Sequence, residues 1–187
     1  PEKETEGLSR YYTRFQSSIK LTLQASEGSS LDTLRFDAPL RFYIDVDQNQ
    51  SDRFYDLLAS KVIGVAVSDS GGRIVKYLGK DNFSMCGFDD AEQMFGLCGD
   101  GELGLSVVED FFAFPEKFSF FQVLGLADLD LGSFISDGAA QINIHLILDD
   151  VLPSTIGLRR DAIKLNCFPV TNIFKKTSDP VVAHEKN

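Results

Sequence analysis

The feature that most constrains folding is a period-two alternation of apolar and polar residues, repeated in short stretches. Gln141–Leu148 puts Ile142, Ile144, Leu146 and Leu148 on one side and Gln141, Asn143 and His145 on the other. Leu40–Val46 does the same with Leu40, Phe42, Ile44 and Val46, and Ile19–Leu23 with Ile19, Leu21 and Leu23. Successive side chains of a strand point to opposite faces, so this pattern predicts half-buried strands, with His145 on the wet or partner-facing side. Val62–Val67 is instead continuously apolar, the pattern of a strand buried on both faces. The Gly71-Gly72 turn within Ser68–Arg73 should fold it into a hairpin with Ile74–Leu78. Further strands are expected at Phe118–Leu124 and, with Ala162 and Leu165 off-register, at Asp161–Asn166.

Helical spacing occurs twice. Asn49 or Ser51 is placed to cap a helix carrying Phe54, Leu57 and Leu58. Leu105, Val108, Phe111 and Phe112 mark a second helix, with Ser106 and Glu109 resembling a capping box and Pro115 as its stop. The pattern loosens between Asp81 and Leu103, read as loop with a short helix near Asp89–Phe95, and Gly125–Ala139 reads as loop. Strands outnumber helices and several are joined by short turns. The fold class is therefore α+β: mostly antiparallel sheets, sandwich-like, with a few short packed helices.

Composition narrows the function. The net charge of −10 disfavours nucleic acid and anionic lipid as partners, because both need clustered Lys and Arg. No apolar run reaches the length of about 18 residues that a membrane-spanning helix needs. Three cysteines without framework spacing (Cys86, Cys98, Cys167) fit reduced thiols in a cytosolic protein. A chain opening at Pro1 rather than Met points to a piece of something longer. Its organisation is read as an N-terminal flank (1–16), a middle region (17–176) and a flexible tail (177–187), with fraying expected at Pro1–Gly7 and Thr177–Asn187. There are 16 Phe and no Trp, with Phe111, Phe112, Phe114, Phe118, Phe120 and Phe121 crowded together. Core is the commoner use of such residues, although aromatic crowding also builds interfaces.

No catalytic constellation emerges. The two histidines are His145, in the polar phase of a strand, and His184, in the tail, and no G-x-S-x-G elbow is present. Gly99–Gly104 lacks the spacing of a phosphate loop. Asp45–Asp52 lacks the Gly and Glu an EF-hand requires, and Asp128, Asp130 and Asp137 read as a solvated acidic loop. Glu116 and Lys117, wedged among aromatics, are expected to pair with neighbours at a helix–strand corner. Catalytic, cofactor and metal residues are all read as none.

The run Val108-Glu109-Asp110-Phe111-Phe112-Ala113-Phe114-Pro115-Glu116-Lys117-Phe118-Ser119-Phe120-Phe121 resembles the "EYFAFPEKF-F" signature of TssF (also VasA or ImpG), a type VI secretion baseplate family. Pro39–Asp47 with Phe54–Leu58 and Ile63–Val65 resembles that family's "LR-FL-GD…LYE-L…GV" block, and Gly87-Phe88-Asp89 its "GF-D" element. Leu165–Phe174 resembles "L-C-PV-NLF", followed by Asp179-Pro180, with Lys175 where the family usually has proline. The resemblance implies a non-catalytic scaffold of the baseplate wedge. The partners it implies are TssG, a second TssF copy, TssK, TssE and the spike hub. The implied place is the bacterial cytoplasm, at the inner face of the cell envelope. Signature and candidate interface residues are Phe111, Phe112, Phe114, Pro115, Glu116, Lys117, Phe118, Asn172 and Phe174, most of the corner being expected as buried framework. Two other readings stay open: a free-standing binding module with an exposed strand edge, and a hydrolase without recognisable motifs.

Overall fold

The computed structural model describes residues 2–26, 36–95, 103–127, 129 and 141–172. Among the described residues, eight strands form two four-stranded sheets in which every pairing is antiparallel. The first sheet has the order β1 (Ser17–Gln24), β7 (Gln141–Leu148), β3 (Val62–Asp69), β4 (Ile74–Gly79). The second runs β5 (Phe83–Met85), β6 (Phe120–Val123), β2 (Leu40–Ile44), β8 (Ile163–Lys164). The chain crosses from β2 to β3 through helix α2 (Gln48–Lys61).

One apolar core joins the sheets. Ile19, Val65, Val67, Ile144, Leu146 and Leu148 come from the first, Phe42, Ile44, Phe121 and Val123 from the second, and Phe54, Leu57 and Leu58 from α2. Antiparallel sheets sharing a core between them, with few helices, are the α+β sandwich that the alternation predicted. Phe121 is its aromatic centre, with ring centroids 5.1 Å from Phe42 and 5.4 Å from Phe83.

The outer face of the first sheet departs from expectation. Helix α1 (Glu2–Tyr11) forms where fraying was expected, and Leu8 and Tyr12 pack onto Ala66 and Ile147. The Tyr12 hydroxyl lies 2.7 Å from both the Val65 and the Leu78 carbonyl oxygens, and burial pushes its pKa up to about 12. Gly64 is required there, since a Cβ would come within 2.4 Å of the Tyr12 ring. β7 is consequently buried on both faces, and His145, expected at the surface, is only 2% exposed. Its polar phase is satisfied sideways rather than by water. Thr22 Oγ1 donates to Asn143 Oδ1 at 2.9 Å, Asn143 Nδ2 donates to the Asp69 carbonyl at 3.0 Å, and Ser68 Oγ lies 2.9 Å from His145 Nε2. Alternation reports side-chain chemistry, and here polar residues on three adjacent strands meet one another, which buried polar groups must do.

Smaller differences have local causes. α2 is entered at Asp47, not Asn49 or Ser51, and the cap uses backbone only. Ser106 is a buried interior residue of α3 (Leu103–Ala113), so the expected capping box with Glu109 does not start that helix. The expected strand from Phe118 begins at Phe120, because Pro115–Phe118 forms a 3₁₀ turn. The expected helix near Asp89–Phe95 is a single 3₁₀ turn, Asp90–Glu92, closed by a reciprocal Asp89–Glu92 capping box. The alternation at Asp161–Asn166 yields only the two-residue β8. β5 was not anticipated, three residues being too short to show a period.

Candidate functional site

The corner formed by α3, the Pro115–Phe118 turn and β6 carries the signature, and it is built around a buried ion pair. Lys117 Nζ donates to Asp110 Oδ2, with only 2% and 1% of the two side chains exposed. The same carboxylate oxygen accepts the Met94 backbone N–H at 3.2 Å. Lys117 thus pairs with a neighbour at the corner, as expected, although the partner lies one turn back in the helix. The helix exit is closed by Phe114 N–H donating to the Asp110 carbonyl at 2.7 Å, and the turn by Lys117 N–H to the Phe114 carbonyl at 3.2 Å. The corner is tied into the second sheet by Ile44 N–H to the Ser119 carbonyl and Cys86 N–H to the Phe120 carbonyl, both 2.8 Å.

Aromatic packing continues this frame. Phe118 has Phe88 at 5.2 Å, Phe111 at 5.7 Å and the Lys117 ammonium at 5.1 Å from its ring centroid. Gly87, at φ +104°, makes room for it, since a Cβ there would lie 2.8 Å from Phe118 Cδ1. Phe120 packs on Tyr43 at 4.9 Å.

The signature is therefore split. Lys117, Phe118, Phe120 and Phe121 are buried and Phe114 is half-buried. Phe111 and Phe112, expected as framework, are 54% and 82% exposed, and Pro115 and Glu116 are also exposed. Helical spacing shows that Leu105, Val108, Phe111 and Phe112 share a face but not which way it looks. Here Ser106 and Asp110 occupy the inward face, because Asp110 must meet the buried Lys117. Asp110 was missed as a key residue. The signal available was an acid seven residues before a lysine enclosed by phenylalanines. Asn172 is exposed at the far end of another signature block, and Phe174 lies outside the described residues.

Other candidate chemistry is accounted for structurally. Ser68 and His145 are adjacent but sealed within the sheet, with no route for a substrate as they stand. Two of the acids in Asp45–Asp52 meet bases: Arg159 lies 3.6 Å from Asp47 and 3.9 Å from Asp45, and Lys164 pairs with Asp45, holding that carboxyl below its usual pKa. Burial pushes the Cys86 thiol up to about 11, which makes it a poor nucleophile. Among the described residues no group of His, Cys, Asp and Glu could hold a metal ion, and no helix is long and apolar enough to cross a membrane. The Asp128, Asp130, Asp137, Cys98 and His184 readings lie outside the described residues, as does most of the Gly99–Gly104 loop. A cleft of about 750 Å³ opens along the seam between edge strands β1 and β8, lined by Ile19, Leu21, Leu23, Phe42, Ile163 and Leu165 and flanked by Lys20, Arg159 and Arg160.

The family model for the type VI secretion system protein TssF matches residues 2–187. The chain belongs to the TssF family. The same fold is seen in a chain of the cryo-electron microscopy structure of the type VI secretion system TssK-TssF-TssG baseplate subcomplex, superposing with a TM-score of 0.63 at 18% identity. That match covers 80% of this chain and 27% of the other, so the chain spans about a quarter of the length of the protein it matches. No curated protein matches the chain by sequence.

Proposed function

We propose that this TssF-family chain is a structural part of the type VI secretion baseplate wedge, joining neighbouring subunits through protein–protein contacts and performing no chemistry of its own. The observation that carries this reading is the family match over residues 2–187. The similar structure is a complex with TssK and TssG, which supports subunits of those two kinds, and a second TssF copy, as partners. TssE and the spike hub complete the set, and the site of action is the cytoplasm, on the inner face of the cell envelope. The architecture suits such a role: a two-sheet frame, its Ser68–His145 pair sealed, and a large apolar helix face turned outward. Mixing the protein with purified TssG- and TssK-type subunits of the same bacterium tests it by size-exclusion chromatography with light scattering. A complex of defined stoichiometry is expected, and elution of every component at its own mass contradicts the reading.

The seam cleft favours a second reading, a binding module that accepts an extended segment along the β1 edge. A thermal shift with extended peptides, abolished by Leu21→Arg, would support it over the first.

A further inference from the structure

From the outward face of α3, we infer that Leu105, Val108, Phe111 and Phe112 form a docking surface for a baseplate subunit that presents an apolar centre within a basic rim. This inference rests on the proposed baseplate role and names the surface through which it acts.

The helix is amphipathic the wrong way round for a surface helix. Its polar residues Ser106 and Asp110 are buried, while its large apolar ones are about half exposed or more. The buried Asp110–Lys117 pair fixes that orientation: turning Phe111 and Phe112 inward would carry the carboxylate away from its lysine. Phe88, itself half exposed, extends the patch through its contact with Phe118, which in turn touches Phe111. With aromatic side chains presenting about 150–250 Å² each, the exposed fractions of Phe88, Phe111 and Phe112 amount to roughly 270–460 Å² before Leu105 and Val108 are added, comparable to the largest apolar patch a monomer leaves uncovered. That is enough for the centre of an interface burying about 800 Å² per partner, the remainder being rim.

The surroundings decide what covers it. The charged residues bordering the patch along the chain are acids: Asp89 and Asp90 beside Phe88, Glu109 on α3, and Glu116 at the turn. Lys117 at the corner is buried against Asp110, and Arg41 reaches the neighbouring turn already paired with Glu92 at 2.7 Å. A second copy would set acid against acid around the same patch, and the whole chain carries a charge of −10. A partner with Lys and Arg around an apolar centre is complementary in both respects.

The test is a titration of the protein against the purified TssG- and TssK-type subunits, read by calorimetry at low and high salt. Four forms are compared: wild type, the Phe111→Ser/Phe112→Ser double variant, the Asp90→Lys/Glu116→Lys double variant, and Val151→Ser at an exposed site away from the corner. Wild type and Val151→Ser should bind one subunit alike and more weakly as salt rises. The serine variant should lose at least 100-fold in affinity with an unchanged melting temperature, and the lysine variant at least 10-fold. Because the lysine changes touch only exposed side chains, they keep the test decisive if the serine variant fails to fold. Wild-type binding matched by both double variants overturns the docking surface and leaves the baseplate role standing. Absence of wild-type binding to either subunit overturns both. Dimerisation of the protein alone, abolished by the serine changes, makes a second copy the occupant and overturns the inference.

Discussion

Replacing one member of the Asp110–Lys117 pair should destabilise the protein far more than replacing both. The two side chains are 1% and 2% exposed, so Asp110→Ala leaves an ammonium in the interior without its counter-charge and the Met94 N–H without its acceptor. Removing one partner of a buried pair costs about 3–5 kcal/mol, whereas exchanging both for apolar residues of similar volume is neutral or stabilising by about 1–4 kcal/mol. Asp110→Ala should therefore move the urea midpoint down by about 2 M at an m-value near 2 kcal/mol/M, while Asp110→Leu/Lys117→Met stays at or above wild type. With no Trp and 5 Tyr in the chain, far-UV circular dichroism is the practical probe. A loss below about 1 kcal/mol for Asp110→Ala, the size expected of an exposed pair, would refute the claim that this pair is buried and sets the orientation of α3.

Other substitutions separate frame from surface. Phe121→Ala empties the centre of the core and should cost about 3–5 kcal/mol in chemical denaturation, whereas Phe112→Ser, 82% exposed, should stay within about 0.5 kcal/mol. Gly87→Ala meets Phe118 in a left-handed conformation and should cost about 1–3 kcal/mol, read from the shift in the urea midpoint. Tyr12 ionises near pH 10 when unfolded and near 12 when folded, so its contribution is complete below pH 10 and lost as pH rises towards 12. Unfolding curves of wild type and Tyr12→Phe should accordingly differ by about 1 kcal/mol at neutral pH, become equal between about pH 10 and 11, and leave Tyr12→Phe the more stable above that.

Period two in Leu40–Ile44 and Gln141–Leu148, and the apolar run of β3, made the strands legible because each pattern is local to its strand. What covers a face is not local. His145 reads as a surface residue until α1 lies over the sheet and Ser68, 77 residues away in the chain, stands beside it. The same limit applies to α3: the spacing of Leu105 to Phe112 defines a stripe, but its direction depends on a lysine beyond the helix end. The family signature was legible as a whole, since it is contiguous. Its division into a buried strand half and an exposed helix half was not.

The most direct measurement is a cryo-electron microscopy reconstruction of the protein assembled with TssG- and TssK-type subunits, inspected at α3. A neighbouring chain packed over Phe111 and Phe112, with Lys or Arg opposite Glu116, is the predicted result. An assembled wedge in which that face remains open to solvent while the subunits are held elsewhere would contradict it.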